Sequence, residues 1–70
     1  MKLQVNGKTR ELPDALTVAE LVADEVPELA NGRGVAVAVD AEVVPRSAWG
    51  ETRLEDGQRV ELLAAMQGGA

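Results

Sequence analysis

The sequence predicts an α+β fold in which a single helix packs on one face of a mixed β-sheet. Residues 2–12 alternate between polar and apolar around an Asn-Gly pair, which is the pattern of a β-hairpin. One later stretch has apolar residues at helical spacing, and three further stretches are rich in valine and leucine and bounded by turn residues. One helix among several short strands is typical of a small two-layer domain.

The hairpin is the first predicted element. In KLQVNGKTREL, Leu3 and Val5 point to one side of the strand and the polar residues between them to the other. Asn6 and Gly7 both tolerate positive φ, so they form a strong two-residue turn signal. The segment KTREL is therefore predicted to be the return strand.

The helix is predicted in TVAELVADEV. Thr17 and Glu20 have the spacing of a capping box, in which each side chain accepts a hydrogen bond from the other residue's backbone N–H. An apolar stripe at helical spacing is formed by Val18, Leu21, Val22 and Val26. Pro27 is expected to end the segment, because the residue before a proline is disfavoured in the helical conformation.

The middle of the chain contains two predicted strands. NGRGV reads as a loop, since clustered glycines mark loops, and VAVAV follows it as a strand. Asp40 and Ala41 make a tight connection to the short strand EVV, which Pro45 stops. RSAW is predicted to form no more than one helical turn, and Trp49 within it is expected to anchor packing at the sheet edge. A partner contact is the alternative role for this tryptophan.

The last predicted strand is RVELLAAM, which follows an Asp56-Gly57 turn signal. Its alternation places Val60 and Leu62 on one face. The opposite face takes Glu61, Leu63 and Ala65. The first and last strands are expected to be parallel neighbours at the centre of the sheet.

Composition excludes several classes of function. The chain has 70 residues with 12 acidic and 7 basic side chains, a formal charge of −5, and a single aromatic residue, so neither a basic patch nor a stacking platform for nucleic acid is available. An acidic surface suits a basic protein partner instead. Cysteine and histidine are absent, which excludes a disulfide and a thiolate metal site and removes the commonest metal ligand. No metal site and no cofactor are expected. MKLQVNGK lacks the apolar core of a signal peptide and no apolar run approaches membrane-spanning length, so a cytoplasmic location is expected.

Two carboxylate pairs are candidates for acid–base chemistry, and neither is favoured. Asp24 with Glu25 lies on a predicted solvent face of the helix, and Glu55 with Asp56 lies in a turn. General acid–base catalysis by such a pair needs a pocket and a raised pKa on one member. No catalytic side chain is therefore predicted, and the glycines of NGRGV match no phosphate-binding spacing.

The chain resembles the ThiS-type sulfur carrier proteins of the ThiS/MoaD family, which are ubiquitin-like β-grasp domains. The resemblance is carried by VNGK near the start, VAVAVDAEVVPRSAW in the middle, EDGQRVELL near the end and the terminal Gly68-Gly69, and it covers nearly the whole chain. It implies a mixed sheet of four to five strands with one helix, a domain over residues 1–66 and a flexible diglycine tail over residues 67–70. The Val-Pro-Arg-x-x-Trp segment favours the thiamine branch over the small subunits of molybdopterin synthase.

The resemblance also implies a mechanism in which the protein is a carrier and not an enzyme. A ubiquitin-activating-type enzyme adenylates the C-terminal carboxylate of Gly69, which follows Gly68. Sulfur from a cysteine desulfurase or a rhodanese then gives a thiocarboxylate, and a synthase, thiazole synthase in the thiamine case, accepts the sulfur. Three alternatives stay open: a ubiquitin-like protein modifier, a carrier for molybdopterin, cysteine or secondary-metabolite synthesis, and a β-grasp module with an inert tail.

Two further expectations concern the C-terminal end. The sequence continues to Ala70, one residue beyond the diglycine at which members of this branch end. A precursor trimmed by a peptidase, a residue introduced by cloning, and a carrier that works with terminal alanine are the explanations, and the last is disfavoured because its methyl group lies beside the reacting carboxyl group. The partner-docking surface is expected to comprise Leu63, Ala65 and Met66 with an acidic rim at Glu61, to which Asp56 is a further candidate. The alternative is a reversed strand with Leu63 in the core.

Overall fold

The computed structural model describes residues 1–64, so the predictions for residues 65–70 lie outside it. The described residues form five strands: β1 (Lys2–Val5), β2 (Lys8–Glu11), β3 (Val35–Val39), β4 (Glu42–Val44) and β5 (Arg59–Ala64). The helix α1 spans Val18–Glu25, and two 3-10 helices span Pro27–Leu29 and Arg46–Glu51. The predicted α+β class, with one α-helix and a mixed sheet, is confirmed.

The strands form one sheet in the order β2-β1-β5-β3-β4. β1 and β5 run parallel with Val5 opposite Val60, and the other neighbouring pairs are antiparallel. The prediction that the first and last strands are parallel neighbours is confirmed, and β5 is the central strand. The end of the described chain therefore leaves from the middle of the sheet.

Two tight turns connect the antiparallel pairs at the sheet edges. Asn6 and Gly7 have φ of 51° and 83°, and Asp40 and Ala41 have φ of 51° and 70°. Positive φ at both central residues is the condition for a type I′ turn, whose twist matches that of the flanking strands. Both predicted connections are confirmed, although alanine is an unusual residue at such a φ.

Helix α1 begins and ends at the residues that its sequence signals indicate. The Glu20 N–H donates to Thr17 Oγ1 at 3.1 Å, and the Thr17 N–H donates to Glu20 Oε1 at 2.9 Å, which completes the capping box. The helix ends at Glu25, and Val26, predicted as the last member of the apolar stripe, is instead its non-helical C-cap with φ of −132° before Pro27. Its apolar stripe faces the sheet, and Val18, Leu21 and Val22 are fully buried.

The core lies between α1, the helix Arg46–Glu51 and one face of the sheet. Its buried members are Leu3, Val5, Val18, Leu21, Val22, Val37, Trp49, Leu54 and Val60. The Trp49 side chain packs in this cluster, and its Nε1–H donates to the carbonyl oxygen of Val44 in the edge strand β4 at 2.9 Å. The predicted role of this tryptophan as a packing anchor at the sheet edge is confirmed.

The helix Arg46–Glu51 corrects one prediction. RSAW was expected to form no more than one helical turn, but the 3-10 helix has six residues, which make two turns at three residues per turn. Burial of Trp49 holds the segment against the core, and the Thr52 hydroxyl donates to the Ala48 carbonyl at 2.7 Å to close its end. Tertiary packing therefore extends a helix that its local sequence does not require.

The loop before β3 lies against this helix. Gly32 is buried with φ of 83°, and a Cβ atom at this position would lie 2.7 Å from Trp49 Cζ3 and from Arg46 Cδ. A side chain at this position is thus excluded both by backbone conformation and by space. Within residues 1–64, no helix is long and apolar enough to cross a membrane.

Candidate functional site

The sheet has one covered face and one open face. Helix α1 and the core cover the face that carries Val5, Val37 and Val60. The open face carries the alternate residues of each strand, which are aligned by the strand pairing as Gln4 with Arg59, Ala38 with Glu61 and with Val43, and Ala36 with Leu63. Val43 belongs to the edge strand β4, and the other residues in these pairs belong to the three central strands.

Leu63 is the most exposed large apolar residue of the central strand, at 74% of its full accessibility. It stands opposite Ala36, and together with Gly34 and Val35 these residues line a shallow apolar depression. The alternation of β5 has Val60 fully buried and Leu62 packed against the core, so the reversed arrangement with Leu63 in the core is wrong. We call Leu63 and Ala36 the apolar patch.

The open face changes from apolar to charged along β5. Glu61 is exposed and lies one row away from the apolar patch, opposite Ala38. Glu61 also lines a second depression, which it shares with charged and polar residues that include Lys2, Thr9 and Arg59. The acidic residue nearest to Leu63 on the open face of β5 is therefore Glu61, as predicted from the alternation.

Asp56 does not belong to this rim. It precedes β5 in the turn at the opposite end of the strand from Leu63, and its Oδ1 accepts a hydrogen bond from the Lys2 N–H at 2.6 Å. The carboxylate thus joins the turn to the start of β1. The expectation that Asp56 contributes to the acidic rim is wrong, because the length of an extended strand separates the two ends of β5.

The carboxylate pairs are engaged in structural contacts. Arg10 pairs with both Asp24, at 3.3 Å between Nη2 and Oδ2, and Glu25, which ties the hairpin to α1. In the second pair the engaged carboxylate is that of Asp56, which accepts from the Lys2 N–H, whereas Glu55 donates its backbone N–H to Gln58 Oε1 at 2.8 Å. Neither pair lines a depression on the open face, and the described residues contain no group of three or more metal-ligating side chains.

The structure brings together only some of the residues predicted for the site. Leu63 and Glu61 lie on the same face of β5, whereas Ala65, Met66, Gly68 and Gly69 lie outside the described residues. Sequence reasoning missed Ala36 as the neighbour of Leu63, and the valine Val43, which is also 74% exposed. The alternation of VAVAV indicates that Ala36 faces outward. Only the pairing of β3 with β5 shows that it lies next to Leu63.

Comparison with known proteins shows one family over almost the whole chain. The model of the ThiS family matches residues 3–69. A thiazole synthase of Paramagnetospirillum magneticum is 35% identical over 71 residues, a match that covers 100% of this chain and 21% of that protein. The chain therefore spans about a fifth of the length of the curated relative it matches.

Two solved structures share the fold. The crystal structure of the thiamine biosynthesis protein ThiS from Geobacter metallireducens is 37% identical with a TM-score of 0.78, covering 99% of this chain and 100% of that one. The solution structure of a thiamine biosynthesis protein from the same organism is 38% identical with a TM-score of 0.79, covering 100% of this chain and 90% of that one. The predicted β-grasp arrangement is confirmed by this similarity.

Proposed function

Because this chain belongs to the ThiS family, we propose that it is a sulfur carrier for thiamine biosynthesis and not itself a catalyst. The observation that carries the proposal is the family match, which runs through residue 69 and so includes both glycines of the C-terminal end. In this proposal the carboxylate of Gly69 is the reactive group. The chain divides into a β-grasp domain over residues 1–66 and a carrier tail over residues 67–70.

The proposed chemistry uses the backbone carboxylate alone. A ubiquitin-activating-type enzyme transfers AMP from ATP to the Gly69 carboxylate and releases pyrophosphate. The outer sulfur of a persulfide on a cysteine desulfurase or a rhodanese then attacks the carboxyl carbon and displaces AMP, and a thiol reductant cleaves the resulting acyl disulfide to leave the thiocarboxylate. Glycine suits this end of the chain, because a residue without a side chain lets the backbone approach closely inside a narrow active site.

The sulfur acceptor in this proposal is a thiazole synthase. The support is that a protein named thiazole synthase contains, within about a fifth of its length, a segment similar to this whole chain. Carrier and synthase are expected to meet in the cytoplasm, where ATP for the activation step is available. Molybdopterin, cysteine and secondary-metabolite synthesis are the alternative destinations, and no observation on this chain favours them.

The part of the open face formed by the apolar patch and Glu61 is the proposed docking surface. Leu63 is 74% exposed, and only four residues separate it from Gly68 in the sequence, so a partner that covers the apolar patch contacts the chain a few residues before the reactive end. Ala65 and Met66 extend the same surface in the proposal. Glu61 and the formal charge of −5 favour a basic partner surface and a salt-sensitive association rate.

The direct test compares two forms of the protein that end at Gly69 and at Ala70. With the cognate activating enzyme, the form that ends at Gly69 is expected to support ATP–pyrophosphate exchange. The form that ends at Ala70 is expected to support it poorly, because the carboxyl group of Gly69 is then part of the peptide bond to Ala70. After addition of the sulfur donor and a thiol reductant, the intact mass of the Gly69 form is expected to rise by the difference between sulfur and oxygen.

Each outcome of this test is informative. No exchange with either form would refute the carrier proposal. Equal exchange would show that Ala70 is tolerated and needs no removal. Exchange followed by attachment to lysine side chains of other proteins, without thiocarboxylate formation, would identify a ubiquitin-like modifier instead.

A further inference from the structure

The C-terminal half of β5 is held differently on its two sides. On one side, the pairing with β3 continues to the last described residue, with Val35 opposite Ala64. On the other side, the pairing with β1 ends at Val5 opposite Val60, because the chain turns away at Asn6 to form the hairpin. The backbone of Leu62 therefore lies beyond the end of β1.

The side chain of Asn6 takes the place of the missing strand. Its Oδ1 accepts a hydrogen bond from the Leu62 N–H at 2.8 Å, and its Nδ2 donates to the Leu62 carbonyl oxygen at 3.2 Å. Its own backbone N–H donates to the Val60 carbonyl at 2.9 Å. A single side-chain amide thus satisfies both backbone groups of Leu62, as a continuing strand would.

Asparagine is well suited to this position. Asn6 has φ of 51°, a conformation that asparagine tolerates better than most residues, and it is the first central residue of the turn. Its side-chain amide has both an acceptor and a donor within hydrogen-bonding distance of the Leu62 backbone in β5. Aspartate would keep the acceptor but lose the donor, and glycine would keep the turn but lose both.

We propose that Asn6 is a positioning residue for activation of the C-terminus. Its side chain holds the backbone of Leu62, and the next residues along the chain are Leu63 of the apolar patch and then the C-terminal tail. This inference rests on the proposed carrier function. Leu63 is the next residue along the chain, so the direction of its exposed side chain depends on how Leu62 is held. Without the Asn6 side chain, the end of β5 would become ordered only when the partner binds. The conformational entropy lost in that step would reduce the free energy of binding.

A matched contact exists at the other end of the same strand. Asp40 is also the first central residue of a two-residue turn with φ of 51°. Its Oδ1 accepts from the Arg59 N–H at 2.9 Å, and its backbone N–H donates to the Arg59 carbonyl at 2.7 Å. Asp40 thus provides a control of the same kind at the Arg59 end of β5, away from Leu63.

The experiment compares Asn6→Gly, Asn6→Asp and Asp40→Gly with the wild type in the chain form that supports pyrophosphate exchange. In the free protein, hydrogen exchange at the Leu62 amide is expected to be at least about tenfold faster in Asn6→Gly, relative to the amides of β3, and unchanged in Asp40→Gly. This measurement tests the contact without any partner.

The kinetic measurement tests the role in activation. Asn6→Gly is expected to raise the half-saturating carrier concentration about tenfold while kcat stays within about twofold, the signature of weakened binding. Asn6→Asp is expected to behave similarly, because a carboxylate oxygen then faces the Leu62 carbonyl. Asp40→Gly is expected to change neither parameter more than about twofold. Thermal unfolding curves of all variants give the fraction of folded protein at the assay temperature. A loss of folded protein is then distinguished from weaker docking.

Three results would overturn the inference. They are unchanged half-saturation in Asn6→Gly, an equal rise in Asp40→Gly, and unchanged Leu62 exchange in Asn6→Gly. Absence of exchange activity in the wild type is a different result, since it removes the proposed carrier function itself and with it any role of Asn6 in activation.

Discussion

Replacing Leu63 with glutamate tests whether the apolar patch is the docking surface. In the free protein this side chain is 74% exposed, so the substitution removes little core packing. Exposed substitutions away from special features change stability by about 0.5 kcal/mol or less. For a domain of this size we therefore expect the melting temperature to fall by less than about 4 °C.

The expected loss of binding follows from the same exposure. Complete burial of a leucine side chain contributes roughly 1.5–3 kcal/mol, and about three quarters of this surface is still accessible for a partner to cover. The lost contribution is therefore about 1–2 kcal/mol, before the cost of placing a second carboxylate near Glu61 in a partially desolvated interface. We expect affinity for the activating enzyme to fall by about tenfold or more, equivalent to 1.4 kcal/mol.

Val43→Glu is the matched control. Val43 has the same 74% exposure and lies on the open face, but it belongs to the edge strand β4 and pairs with Ala38 instead of Ala36. Both variants change the charge by the same amount. A binding titration of each variant, with thermal melting beside it, is expected to show a loss of at most about threefold for Val43→Glu.

Three outcomes would refute the reasoning about Leu63. Unchanged affinity in a well-folded Leu63→Glu variant would show that the partner does not cover this residue. Equal losses in Leu63→Glu and Val43→Glu would show that added charge, and not the apolar patch, causes the effect. A melting temperature lowered by more than about 8 °C would show that Leu63 contributes to the core after all.

Other predictions concern stability and electrostatics. Gly32→Ala is expected to lower the free energy of unfolding by about 2 kcal/mol or more, because its Cβ would lie 2.7 Å from Trp49. Gly7 has the same φ of 83° but no atom within 4 Å of a Cβ, so Gly7→Ala is expected to cost only the backbone strain, about 1 kcal/mol. Equal losses of stability in urea unfolding would contradict the steric argument. Trp49→Phe removes the donor to the Val44 carbonyl and is expected to destabilise the protein by about 1–3 kcal/mol by the same assay, with no loss arguing against that hydrogen bond. Association with the proposed activating enzyme is expected to slow as salt rises, because the chain has a formal charge of −5, and a salt-independent rate in stopped-flow mixing would exclude electrostatic steering.

Local signals in the sequence were sufficient for most of the elements. The Asn6-Gly7 turn, the capping box of Thr17 and Glu20 and the stop at Pro27 each act over a few residues, so the hairpin and the helix could be predicted without any tertiary information. The exposure of Leu63 followed from alternation along one strand. The family followed from the order of these segments together with the terminal glycines.

Contacts between distant residues were decided only by the tertiary structure. Gly32 was predicted as part of a loop, but its need to be glycine comes from Trp49, which packs against it from a helix longer than its own sequence requires. Asn6 was predicted as a turn residue, yet its side chain also binds the Leu62 backbone, 56 residues away. Turn propensity and strand alternation describe neighbours along the chain, whereas the partner of a buried glycine or a side-chain amide depends on which strands are adjacent in the folded sheet.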